Sequence, residues 1–223
     1  MHTPKTRLAP SQRTALRPLG HRPVMARWGL TGDDLSLRAL AALELMDAEL
    51  ADLKRRLAEA EHLADRDGLS GLLNHRGFMR ALEQVSAYAE RYAVAAAVIY
   101  LDLDGFKAIN DRYGHGAGDA VLRHVGRVLQ GAVRSSDHVG RLGGDEFAVI
   151  LAQASTEEAH SKAQGLAQTL ADTPCLYEGV RHTITASAGV HCFRGAIQPE
   201  RALAAADQAM YAQKHLVKRG IPV

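Results

Sequence analysis

The chain reads as an α+β protein, a mostly antiparallel sheet with flanking helices, and three features of the sequence predict this. Residues 93–101 form a nearly unbroken apolar run of strand length, the pattern of a central strand. Residues 138–141 and 147–151 flank a Gly-Gly turn as a hairpin, which makes those neighbours antiparallel. Segments with a helical spacing of apolar residues fall between and after the strands.

Taken in order, residues 1–32 carry Pro4, Pro10, Pro18, Pro23 and scattered arginines, with no acid before Asp33, and read as a disordered basic leader. Residues 33–66 differ. Leu43, Met46, Leu50, Leu53, Leu57, Ala60 and Ala64 follow alternating steps of three and four, a seam of period 3.5 with charged residues outside it. The narrow seam favours a parallel dimeric coiled coil over a helix lying on its own domain. Three heptads are marginal alone, so such a dimer is weak and adjustable. Residues 67–223 form one domain. A turn-rich lead-in, DGLSGLLNHRGF, precedes a helix to about residue 92 and then the central strand. A helix opens at 114–118 and runs to about 132, and the hairpin follows. Residues 156–171 read as helix, 181–192 as strand and 199–214 as a closing helix. Two layers are expected.

The bulk properties exclude several classes. With 47% apolar residues the chain buries an ordinary core. A net charge of +2 gives no reason to expect nucleic acid as a partner. Cys175 and Cys192 lie far apart without metal-ligand spacing and read as free thiols. No apolar run approaches the roughly 18 residues of a membrane span, and the basic amino terminus has no apolar signal core. The expected location is the cytoplasm.

The chemistry concentrates in two segments. RLGGDEFAVIL interrupts an apolar strand with Gly143 and Gly144, then Asp145 and Glu146. Paired glycines and buried acids both weaken a strand, so a core has no use for them there. A tight turn that presents acids to a metal, and lets a ligand approach the backbone, accounts for all four. VIYLDLDGFK is a second acidic strand end, with Asp102 and Asp104. Mg²⁺ takes hard oxygen ligands, usually one or two carboxylates with waters and substrate phosphates. Asp102, the Leu103 carbonyl, Asp145 and Glu146 are such donors, and two acidic strand ends accommodate two cations. A lone Asp-x-Asp is commonly a surface accident; its pairing with GGDEF points to an enzyme handling a nucleotide through divalent cations.

These residues resemble the GGDEF family of diguanylate cyclases, which join two GTP molecules into cyclic di-GMP. The likeness spans residues 65–219 and rests on DGLSGLLNHRGF, DLDGFKAINDRYGHGAGD, RSSDHVGRLGGDEF, TITASAGV and ADQAMYAQK in order. It implies a palm-like sheet similar to that of class III nucleotidyl cyclases, in a Mg²⁺-dependent homodimer (Mn²⁺ serving as a substitute) that releases two pyrophosphates. By the same resemblance Asp102, Asp145 and Glu146 are catalytic, with the Leu103 carbonyl completing the metal ligands. Gly143 and Gly144 admit the nucleotide, and Asn110 and Asp119 read guanine. A carboxylate suits the N1–H and exocyclic amine of guanine. Phe106 and Lys107 face phosphates, and Lys214 and Lys218 meet the terminal phosphate.

Arg134 and Asp137 match the family's RxxD inhibitory site by their spacing to Gly143, with Arg141 near enough to assist. RxxD alone is commonplace, usually a surface ion pair. Ser70 stands where threonine is commoner, and His75 separates Asn74 from Arg76. Val217-Lys218-Arg219 replaces the usual Gly-Arg-Asn, which puts the terminal-phosphate contact at issue. The alternative reading is a non-catalytic receptor for cyclic di-GMP or GTP, which the intact acidic residues disfavour. A cyclase of adenine nucleotides is disfavoured by Asp119.

Overall fold

A computed structural model describes residues 36–218, and the basic leader, Arg219 and the last residues lie outside it. The chain divides into two units, one ending at Ala60 and one from Glu61 onward. Helix α1, Leu37–Ala64, has no acid in its first turn; Ser36 caps it by accepting from Ala39 N at 3.3 Å. Along its seam Leu50, Leu53 and Leu57 are 37%, 53% and 60% exposed, so this stripe buries little within the single chain.

The second unit is built on β1, Ala95–Leu103. It pairs antiparallel with β3 (Glu146–Leu151) on one side and β6 (Ala186–Arg194) on the other. β2 (His138–Gly143) pairs antiparallel with β3, giving the order β2-β3-β1-β6. The palm-like antiparallel sheet is therefore present. It has three layers rather than the expected two. Ala97, Ile99, Leu101 and Leu103 pack toward α3 (Phe106–Gly131) and α4 (Thr156–Asp172), while Val98 and Tyr100 pack toward α2 (His75–Tyr92) and α5 (Pro199–Lys218). The unbroken apolar run of β1 is the sequence signature of burial on both faces. Each fully buried Val, Ile or Leu in it contributes about 1.5–3 kcal/mol.

Local chemistry sets the helix limits. Asn74 caps α2 by accepting from Gly77 N at 3.0 Å, and Ala93 ends it in the left-handed region at φ 52°. Phe78, Ala81, Leu82, Val85 and Ala89 form its buried stripe. Ser155 and Glu158 make a capping box at α4. A separate hairpin, β4 (Cys175–Tyr177) with β5 (Val180–His182), was not anticipated. The strand read at 181–192 thus divides: residues 181–182 belong to this hairpin and β6 begins at Ala186. Cys175 and Cys192 are unpaired.

The turn at 65–74 stitches the unit together. Asp65 is buried and accepts from Arg76 and Arg80, each at 2.9 Å. Leu73 lies against the outer edge of β2: its N donates to Val139 O at 3.2 Å, and its O accepts from Arg141 N at 2.8 Å. Among the described residues, no helix is long and apolar enough to cross a membrane.

Candidate active site

The two acidic strand ends meet. Asp102 of β1 stands opposite Glu146 of β3 in the antiparallel register, and Tyr100 stands opposite Ala148 two residues back. All four side chains share the face covered by α2 and α5, because pleating alternates faces along each strand. From α5, the Lys214 ammonium donates to Asp102 Oδ1 and lies 3.8 Å from Asp104 Oδ1. Burial alone would lower the Lys214 pKa, but Asp102, Asp104 and Asp145 together raise it, so the ammonium stays charged. Ser187 Oγ donates to Asp104 at 2.9 Å.

The donor set is oxygen-rich and fits a hard cation. Among the described residues no group of three or more carboxylate, imidazole or thiol side chains is placed to hold a metal ion by itself.

The turn between β2 and β3 is as tight as its glycines allow. Gly143 pairs with Glu146, so Gly144 and Asp145 alone form the loop, and Gly144 adopts φ 43°. A residue with a Cβ is strained there. Leu103 N donates to Asp145 O at 3.2 Å, tying the turn to the end of β1. Arg141 donates to Gly144 O from Nε at 3.0 Å and from one terminal nitrogen at 2.8 Å. Its other terminal nitrogen meets both oxygens of Asp67, at 3.2 and 3.1 Å. Burial alone would raise the Asp67 pKa; hydrogen bonds from Ser70 and the Arg141 guanidinium hold it below the ordinary value.

Helix α3 is two helices meeting at Gly114, whose φ of 78° and ψ of 167° break the spiral. The expected helix from 114 onward is its second half; residues 106–113 are helical as well. Gly105, left-handed at φ 70°, starts the first half. Phe106 and Lys107 are its first residues, where backbone N–H groups lack helical partners and suit phosphate. The break folds Asn110 onto the second half: its side chain and that of Phe106 both lie against Gly118, the residue before Asp119. Asp119 is about half exposed, with Arg123 at 3.7 Å.

The RxxD segment lies beyond the end of α3. Arg134 is exposed and borders two clefts, of about 560 and 420 Å³. Asp137 is buried: Oδ2 accepts from Arg134 N at 3.0 Å and Oδ1 from Ala152 N at 3.3 Å. Its carboxylate thus closes its own loop, and Arg141 is engaged elsewhere. Lys218 is the last residue of α5, and its side chain lies outside what the structure describes.

Three neighbours of the site escaped the sequence reading. Tyr100 is buried beside Glu146; burial, then the Glu146, Asp207 and Asp102 charges, raise its phenol pKa above the ordinary value. A lone tyrosine in an otherwise aliphatic strand was the available signal. Tyr177 of the unanticipated hairpin rests over Gly116. Its phenol is raised chiefly by the charge of Glu178, with Asp119 also contributing, which sets it near the Asn110–Asp119 corner. The Glu178-Gly179 turn between short apolar runs signalled that hairpin. Asp67, holding Arg141 from a distant segment, had no local signal.

Comparison with known proteins gives the same answer. The family model for "Diguanylate cyclase, GGDEF domain" matches residues 64–219. Diguanylate cyclase DosC of Escherichia coli K12 is 34% identical over 184 residues, 80% of this chain and 40% of the relative. Probable diguanylate cyclase DgcE of the same organism is 33% identical over 172 residues, 77% of this chain and 16% of the relative. The chain therefore spans well under half the length of these relatives. A crystal structure of the coiled coil and GGDEF domain of DgcB from Caulobacter crescentus, in complex with c-di-GMP, superposes with a TM-score of 0.68 at 27% identity. That likeness covers 78% of this chain and 93% of the other. The chain belongs to the GGDEF-domain family of diguanylate cyclases.

Proposed function

We propose that this chain is an active diguanylate cyclase that condenses two GTP molecules into cyclic di-GMP with release of two pyrophosphates. The observation that carries the reading is the cross-strand pairing of Asp102 with Glu146 at the foot of the glycine turn. Phosphoryl transfer needs placement and charge neutralisation more than covalent help, and this corner offers both. Asp102, the Leu103 carbonyl, Asp145 and Glu146 would hold Mg²⁺, with Mn²⁺ as a substitute. When bound, the cations sharpen the attacking oxygen and offset charge on the leaving pyrophosphate. Glu146, with Tyr100 beside it on the same face, accepts the proton of the attacking 3′-hydroxyl. Gly143 and Gly144 let the triphosphate lie against the turn. The amides at Phe106 and Lys107 cradle phosphates, and Lys214 exchanges its carboxylate partner for the terminal phosphate, with Lys218 beyond it. Asn110 and Asp119 read guanine.

One domain holds one GTP, so the reaction needs two domains face to face. The exposed stripe of α1 supports a homodimer, in which tethering raises the effective concentration of the second half-site. Arg134 and Asp137 form a product-inhibition site, while Arg141, which the spacing also offered, is held at the hairpin turn. The protein works in the cytoplasm, on GTP, without nucleic acid.

The test is product analysis after incubation with GTP and Mg²⁺, alone and mixed with ATP. Cyclic di-GMP and pyrophosphate in a ratio of one to two are expected, and Glu146→Gln should bind GTP without turnover. Binding of GTP by the wild type without pyrophosphate release refutes the cyclase and favours the receptor.

A further inference from the structure

The loop carrying Asp145 and Glu146 contains two glycines, the residues with the most backbone freedom. No side chain on Gly143 or Gly144 can anchor the turn. Two outside groups hold its carbonyls: Leu103 N holds that of Asp145 at 3.2 Å, and Arg141 holds that of Gly144 at 3.0 and 2.8 Å. Arg141 is held in turn by Asp67, which Ser70 fixes through N at 2.7 Å and Oγ at 2.6 Å. Asp67 and Arg141 side chains are 22% and 14% exposed, so this is no solvated surface pair. The guanidinium fork is used on both sides, a geometry lysine cannot copy. Without it the Gly144–Asp145 peptide has room to rotate, carrying the Asp145 carboxylate with it.

We propose that Asp67 and Arg141 are positioning residues for the active-site turn, Arg141 gripping the Gly144 carbonyl and Asp67 gripping Arg141. The assignment rests on the cyclase reading above. It gives Arg141 a task at the reacting end of the hairpin instead of at the inhibitory loop.

The experiment compares Asp67→Asn and Arg141→Lys with wild type and with Arg76→Ala. The last variant removes an ion pair to Asp65 in the same 65–74 turn; Arg76 lines the cleft beside Gly143 and Gly144 but its hydrogen bond goes to Asp65, not to the turn's carbonyls. Four quantities are read: kcat, KM for GTP, half-inhibition by cyclic di-GMP, and amide exchange at residues 143–146. In both brace variants kcat should fall about tenfold or more, since small misplacements of reacting groups are costly. KM should stay within about threefold, because ground-state binding is retained. Half-inhibition should be unchanged, and turn amides should exchange faster. Arg76→Ala should match wild type in all four even where its melting temperature falls. Wild-type kcat and exchange in both brace variants would overturn the proposal, as would lost product inhibition with kcat intact. Should Arg141→Lys fail to fold, the near-isosteric Asp67→Asn decides. If wild type makes no cyclic di-GMP, the cyclase reading fails alone, and amide exchange still judges the brace.

Discussion

Gly118→Ala separates nucleotide reading from folding. A methyl built on Gly118 would lie 2.9 Å from Asn110 Cγ, closer still to its Oδ1, and 3.2 Å from Phe106 Cζ. Atoms in van der Waals contact rest well over 3 Å apart and the oxygen is the tighter clash, so the Asn110 amide must retreat by more than about 1 Å or rotate away. The displaced group is the end of a side chain, and alanine in a helix gains about 1 kcal/mol over glycine, so the fold should survive. What is lost is the placed amide. Stranding one hydrogen-bonding partner costs about 1–3 kcal/mol, or roughly 5- to 140-fold in affinity. Calorimetric titration with a non-hydrolysable GTP analogue and Mg²⁺ reads this directly, beside a thermal melt. Gly131→Ala, where nothing lies within 4 Å of the added methyl, is the control and should bind as wild type. Unchanged affinity in a folded Gly118→Ala protein would show that Asn110 does not read the nucleotide.

Further outcomes can be stated. Leu50→Glu with Leu57→Glu should raise the protein concentration for half-maximal specific activity at least about tenfold, since each buried leucine is worth about 1.5–3 kcal/mol; an unaltered dilution profile removes α1 as the dimer seam. Arg134→Ala should raise the cyclic di-GMP concentration for half-inhibition about tenfold or more, the cost of losing a charge-assisted contact, and an identical inhibition curve rejects the RxxD assignment. The folded Asp67 carboxyl titrates below the ordinary carboxylate value, so its stabilisation is complete above the unfolded pKa and disappears as the pH falls through the lower folded one. Denaturation of wild type and Asp67→Asn from about pH 6 down to about pH 2 should therefore converge in acid; a gap that stays constant refutes the ionised brace.

Much of this was readable from residue order because the relevant signals are local. The apolar run gave β1 and the Gly-Gly-Asp-Glu interruption gave the hairpin; that its acids belong beside Asp102 followed from the shared chemistry, and the register that pairs Asp102 with Glu146 came from the fold. The layer count was misjudged although β1 carried the clue, since a strand apolar on both faces needs cover on both. Residues 106–113 were missed as helix because Gly114 looked like a start when it is a break inside α3. Arg141 was read only as near enough to assist Arg134 and Asp137; the partner the fold gives it, Asp67, lies 74 residues away. Nothing near either residue announces that contact.

The pairing of Leu73 with the rim of β2 has a practical corollary. An open strand rim is a template for joining another molecule. Here the segment just ahead of α2 occupies Val139 O and Arg141 N, the groups that would recruit a stranger. Chains trimmed past Leu73 would bare that rim and clump, so the smallest self-sufficient version of this domain begins at or before Asp65.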